Sequence, residues 1–382
     1  MTVPLSILDL APVPRGGTAG DALRNTVDLA QAAEQAGYRR YWVAEHHLAP
    51  GVASASTPVL IALIASATRT IRVGSGAVQL PHTPPLIVAE QFGTVAALHP
   101  GRIDLGLGRF DLQKILTRLM GGGAGPPGSA GEPREERTVD GLLLPAPARS
   151  AGDPALYGHL GTLLGVRLDD PRGDYNAEVG AILDFIDGTA VQADGSPVHV
   201  LPAEGADVDV WVLGSSPGES AQVAGSRGLS FAAAYHLVPS LVLETVEAYR
   251  SAFRPSARLA QPHVMVSADV VVAETDAAAA EIAAPYAQWV LDVRTGRGAH
   301  PYVTPEEARA RTWSDEERAA VADRVATQFV GSPATVVERL ATLARVTGAD
   351  ELLVTTITTE HADRVRSFRL LAEEWARTRA AA

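Results

Sequence analysis

The sequence predicts an α/β fold, a (β/α)8 TIM barrel with insertions after strand 4 and between strands 7 and 8. Three observations carry this. Eight short apolar runs alternate with stretches of helical period. The ends of those runs gather glycine, serine, histidine and arginine, and a barrel places its chemistry where the strands finish. At 382 residues and 46% hydrophobic side chains, the chain can fill one such barrel and its insertions. An open doubly wound sheet is the competing architecture.

In chain order, "PLSILDL" (4–10) is the first strand. "AGDALRNTVDLAQAAEQAG" (19–37) follows as an amphipathic helix that Asp21 can cap at its start and Gly37 at its end. "RYWVAE" (40–45), "IRVGSGAV" (71–78) and "RIDLGLG" (102–108) are the next strands, with helices at about 56–69 and 84–98. In the second half, "VDVWVLG" (208–214), "LSFAAAY" (229–235), "HVMVSADVVVA" (263–273) and "DELLVTTI" (350–357) are strands. Helices are expected at about 218–227, 239–253, 276–292, 305–329, 334–348 and 360–378, the one before the last strand ending at Gly348. A single barrel domain over residues 1–382 results, with an irregular insertion at about 120–207. "MGGGAGPPGSAGEPREERTVDG" (120–141) has no period and is expected to be a surface loop, either a tolerated insertion or an active-site lid on the catalytic face. Within the insertion, "DYNAEVGAILDFIDG" (174–188) is expected to be a helix.

A formal charge of −12 argues against nucleic acid or an anionic membrane as the main partner. With no cysteine, disulfides, Cys–zinc sites and thiol nucleophiles are excluded. The N-terminus lacks a basic region, and "VLIALIASA" (59–67) is too short to span a bilayer. A soluble, cytoplasmic protein is expected.

The strand ends supply the candidate chemistry. Strand 5 ends in "GSSPGES" (214–220) at a helix start. Gly214 and Gly218 let a ligand approach the backbone, Ser215 and Ser216 offer hydroxyls, and the helix amides favour an anion. Arg109, after "GLG" on strand 4, could add a planar cation for phosphate oxygens. Plain helix capping by the serines and a surface ion pair for Arg109 are the alternatives. The two glycines of "GSGA" (74–77) suit either a tight turn or a flat ring lying against the backbone. "GLGRFD" lacks the last glycine of a dinucleotide fingerprint, so no nicotinamide domain is expected.

Strand 2 ends in Glu45-His46-His47. Neighbouring strand residues face opposite ways, so only one histidine can enter the barrel if the strand stays regular. A pocket histidine with Glu45 nearby suits proton transfer. A solvated structural pair and a metal-dependent hydrolase using Glu45, His46 and His47 remain open. No His-x-His occurs, and no metal is assigned.

Together, "AEHH", "IRVGSGAV" and "HPGRIDLGLGR", with "WVLGSSPGESAQVAGSRGLSFAAAYH" (211–236) and "VGSPATVVERLATLARVTGADELLVTT" (330–356), resemble the bacterial luciferase-like family of flavin-dependent monooxygenases. The resemblance implies a (β/α)8 barrel with FMN, or the deazaflavin F420, at its C-terminal face. It implies that Arg109, Gly214, Ser215, Ser216 and Ser220 hold the flavin phosphate. It also implies that Gly76–Ala77 is a non-proline cis peptide packed on the flavin ring, and that His46 is the catalytic histidine. The activity implied is a two-component monooxygenase. A separate reductase would deliver reduced FMN, and reaction with O2 through a C4a-(hydro)peroxyflavin would oxygenate a small organic substrate, for example an aromatic natural product. A homodimer is implied too. An F420-dependent oxidoreductase and a non-catalytic flavin-binding protein are the alternatives. Phe110-Asp111-Leu112 and the Gly-rich insertion depart from relatives, so the substrate does not carry over.

Overall fold

The computed structural model describes residues 3–109, 135–147, 154–165 and 174–381. Eight parallel strands form the barrel: β1 Leu5–Asp9, β2 Arg40–Val43, β3 Arg72–Ser75, β4 Ile103–Gly108, β5 Val208–Gly214, β6 Ser230–Ala233, β7 Val264–Val272 and β8 Glu351–Thr355. Each pairs with the next in sequence, and β8 pairs back onto β1, so no edge remains. Closure excludes the doubly wound alternative.

One helix returns the chain after each strand: α1 Ala19–Ala36, α2 Thr57–Ala67, α3 Pro85–Leu98, α4 Tyr175–Asp187, α5 Glu219–Ser226, α6 Val242–Ala252, α7 Pro333–Thr347 and α8 His361–Ala381. The cap of α1 is Thr18 rather than Asp21. Asp21 is the third helical residue and returns a hydrogen bond to the Thr18 amide, completing a capping box. Gly37 and Gly348 end their helices in the left-handed region, as expected. No helix among the described residues is long and apolar enough to cross a membrane.

The insertions differ from expectation. Residues 110–134, which include Phe110-Asp111-Leu112 and most of the Gly-rich stretch, lie outside the described residues. The described residues of the 120–207 segment are more regular than expected. Arg137–Val139 and Leu142–Leu144 form an antiparallel hairpin. Its turn is Asp140-Gly141, both at positive φ (46° and 90°), the Asp-Gly signal for a two-residue hairpin turn. Leu142 and Leu144 are buried in the main core. A helix at Pro154–Leu163 and α4 complete the segment. Between β7 and β8 come helices Asp276–Ala283, Tyr286–Arg294, Pro305–Ala310 and Asp315–Thr327, then a short strand, Phe329–Gly331, that pairs with β7.

Inside the barrel the side chains stack in layers. The floor, at the strand starts, is ionic. Buried Arg40 reaches Asp104 (2.8 Å), Asp209 (3.0 Å) and Glu351 (3.2 Å). Burial works against the Arg40 charge, but these three carboxylates outweigh it and hold its pKa above the ordinary value. The next layer is apolar: Leu8, Trp42, Trp211, Ala232, Met265 and Leu353, with the two tryptophans edge to face at 5.2 Å. Above it the barrel opens at the strand ends.

Candidate functional site

Parity along each strand decides what reaches the opening. Trp42 points inward, so Ala44 and His46 continue that face although the strand itself stops at Val43. Glu45 and His47 take the other face and bond each other, His47 Nε2 lying 3.1 Å from Glu45 Oε1. The sequence expectation that one histidine enters the barrel therefore holds, with a correction. Glu45 is the hydrogen-bond partner of His47, not of His46. The His46 amide is fixed by the Ser54 carbonyl (2.9 Å), while its Nδ1 is buried with no partner. Burial drives the His46 imidazole down to about 4. The neighbouring His47 adds to this and Glu45 opposes it. At neutral pH His46 is uncharged.

The Gly76–Ala77 peptide is cis and follows directly on β3. A Cβ at position 76 would stand 2.7 Å from Leu8 Cδ1 and 3.3 Å from the Trp42 ring. Glycine lets the chain lie low over the apolar layer without displacing Leu8. Buried Ala77 follows it.

The β4 and β5 ends meet. Arg109, just past β4, forms an ion pair with Glu219, the first residue of α5. The α5 cap is Gly218, which gives no side-chain capping bond. Ser215 and Ser216 are half-buried on the loop before it, and Ser220 is buried in its first turn. A Cβ at Gly214 would press to 3.1 Å on both the Phe231 ring and Ser220 Cβ, a tight fit between the loop, β6 and the helix. Arg109 is thus brought to the first residue of α5. The ion pair, set out as an alternative for Arg109, is also real. Sequence reasoning missed Glu219, which brings a negative charge to the same spot.

It also left His236 without a role. His236 lies in the turn that follows β6, the strand diametrically opposite β2. Its Nδ1 is hydrogen-bonded to Ser267 Oγ of β7. Burial pushes it down to about 4; Asp269 opposes, and Arg324 and His46 assist. Two residues above Ser267, Asp269 accepts from the Tyr286 hydroxyl and from Arg324 Nη2 (3.1 Å). Tyr286 and Arg324 come from the insertion between β7 and β8, which is thereby tied to the barrel rim. The same insertion packs Tyr286, Val290, Leu291, Tyr302 and Val321 with Ile357 and Leu10. Sequence could have flagged this only through the buried-strand pattern of "VMVSADVVV", in which Ser267 and Asp269 break an apolar run at period two. Among the described residues no group of three or more His, Cys, Asp or Glu side chains is placed to hold a metal.

The family model for "luciferase-like monooxygenase" matches residues 3–135 and 161–351. The chain belongs to the luciferase-like monooxygenase family. An Escherichia coli (strain K12) protein named luciferase-like monooxygenase is 37% identical over 97% of this chain and 96% of its own. The crystal structure of apo-MsnO8 superposes with a TM-score of 0.76 at 30% identity, covering 98% of both chains. More distant structures show the shared fold alone. One is the oxygenating constituent of 3,6-diketocamphane monooxygenase from Pseudomonas putida in complex with FMN (TM-score 0.66, 19% identity, 98% of both chains). Another is an F420-dependent secondary alcohol dehydrogenase (TM-score 0.60, 13% identity, 98% of this chain and 99% of its own).

Proposed function

We propose that this family member is an FMN-dependent monooxygenase whose reduced flavin comes from a separate reductase. The observation that carries the reading is the buried, unpartnered Nδ1 of His46 at the barrel opening, beside the Gly76–Ala77 ledge and on the same face as the Arg109–α5 anion cradle. A buried polar atom without a partner calls for one from outside the chain. The donor set fits an anionic, flat cofactor: a guanidinium, uncapped helix amides and three serine hydroxyls for a phosphate, and a glycine ledge for a ring. When bound, reduced FMN supplies two electrons that, with O2, place one oxygen atom in the substrate and release the other as water.

The chain's own residues do the rest. Arg109, Ser215, Ser216 and Ser220 bind the phosphate, with Arg109 leaving Glu219 to do so. Gly214 keeps the cradle closed against β6. The Gly76–Ala77 backbone bounds the ring from below. His46, neutral at working pH, accepts or returns a proton at its ring nitrogen. The insertion between β7 and β8 excludes water from the opening. The reading includes a homodimer, supported by the exposed apolar side chains Val59 and Leu63 on α2 and Leu86 and Ile87 on α3.

The test is to mix the purified protein with reduced FMN without air, admit O2, and follow the flavin spectrum. Reoxidation markedly slower than that of free flavin supports the reading. Reoxidation at the free rate, with tight binding of F420 instead, would replace FMN by the deazaflavin and oxygenation by hydride transfer.

A further inference from the structure

We infer that Gln79 is a ring-binding residue whose side-chain amide hydrogen-bonds the imide edge, an N–H between two carbonyls, that flavins and deazaflavins share. This rests on the cofactor reading of the same site and adds a recognition residue to it.

Strand register places the residue. The inward face of β4 runs Asp104, Gly106, Gly108. Asp104 is bonded to Arg40 in the floor, while Ile103, Leu105 and Leu107 turn outward into the main core. Gly108 therefore stands two layers above the floor, at the opening. Val78–Gln79, a two-residue strand directly after the Gly76–Ala77 peptide, pairs with Leu107–Gly108. Val78 packs into the same outward core as Leu107, so Gln79 turns the other way. A Cβ added at Gly108 would meet Ala77 Cβ at 2.9 Å, Gln79 Oε1 at 3.3 Å and Gln79 Nε2 at 3.6 Å. The Gln79 amide thus lies on the barrel side of Gly108, beside Ala77, and Gly108 is the residue before Arg109.

The side chain is held there and left open. The Gln79 backbone N–H donates to Glu45 Oε2 (3.4 Å), which ties the end of β3 to the end of β2. Gln79 Oε1 is buried and has no hydrogen-bond partner among the described residues. A buried polar atom of this kind calls for a partner from outside the chain. The chemistry narrows that partner. A carboxamide carries a donor and an acceptor side by side, so the group that suits it offers both. A phosphate offers acceptors alone, and Arg109 already faces it. The benzenoid end of a flavin offers neither. An imide offers a donor flanked by two acceptors, and it pairs with the carboxamide in either orientation of the amide. The flat ring that rests on the Gly76–Ala77 ledge therefore turns its imide end to Gln79.

The experiment titrates the full chain without air, by calorimetry, with three probes: reduced FMN, reduced 3-methyl-FMN, in which a methyl group replaces the imide proton, and reduced F420. Wild type should bind FMN about tenfold more tightly than 3-methyl-FMN, the size expected when a buried acceptor loses its donor. Gln79→Met, similar in length and without an amide, should weaken FMN by about the same factor and bring the ratio to about one. If Gln79→Met does not fold, Gln79→Leu carries this arm, and the wild-type ratio needs no variant. Equal affinities in wild type, or a ratio that survives the substitution, would overturn the assignment and leave the FMN reading standing. F420 keeps the imide edge and so separates the two readings. Tight binding of F420 in place of FMN, weakened about tenfold by Gln79→Met, replaces the cofactor and leaves Gln79 in its role. F420 binding that the substitution leaves unchanged removes Gln79, and binding of none of the probes overturns both readings.

Discussion

The barrel has two polar ends, and they are built on opposite terms. At the floor, Arg40, Asp104 and Glu351 are buried and Asp209 is half-exposed; Arg40 bonds all three carboxylates, with Trp42 Nε1 (2.8 Å) and Arg72 (2.7 Å) completing the shell of Asp104. At the opening, His46, Thr355 and Tyr302 hold buried polar atoms that no described residue satisfies. A satisfied polar network specifies a fold, whereas an unsatisfied one costs stability and persists where something else will meet it. The difference separates residues that hold the barrel shut from residues that wait for a ligand.

Breaking the floor should cost the most. Arg40→Ala leaves three carboxylates facing each other, two of them fully buried, and should destabilise the protein by about 3–5 kcal/mol. Urea unfolding measures this; a loss below about 1 kcal/mol would mean that the floor is not a structural plug. At the opening the sign reverses. His46→Ala should lower turnover by about a hundredfold or more while flavin affinity and unfolding midpoint barely move. A flavin titration beside a rate assay checks the pair of outcomes.

Acid should sharpen the contrast further. His46 and His236 are held near 4 in the folded chain, below the ordinary histidine value of 6.5. Below pH about 6.5 the unfolded chain therefore binds more protons, and stability falls as pH drops from about 6.5 to about 4, where the loss levels off. His46→Gln should flatten that slope; a thermal-melt series across the window would show it. The smallest effect belongs to the anion cradle. Glu219→Gln removes the charge competing for Arg109 and should tighten FMN binding by up to about fivefold, an exposed-pair magnitude. Arg109→Ala should move affinity the other way. Fluorescence quenching of FMN resolves both, and an unchanged affinity in each would take the cradle out of phosphate binding.

Much of this could be read along the chain because it depends on local periodicity. The strands are short apolar runs, and the inward position of His46 follows from counting by twos from Trp42, with no knowledge of distant contacts. What depends on long-range pairing was hidden. Nothing local ties Arg40 to Glu351, 311 positions away. Nothing in "GES" announces that Glu219 will find Arg109. The Asp140-Gly141 hairpin is different, since its turn signal was present but obscured by the charged, Gly-rich stretch before it.

The closed floor also dictates traffic. With the strand starts plugged by ion pairs and a tryptophan pair above them, the barrel is a vessel with one door. Whatever enters the barrel interior and whatever leaves it must pass the same rim, between His46 and His236. Visitors must therefore queue. The molecule seated deepest enters first and leaves last, so an order of binding is imposed by architecture before any affinity is considered.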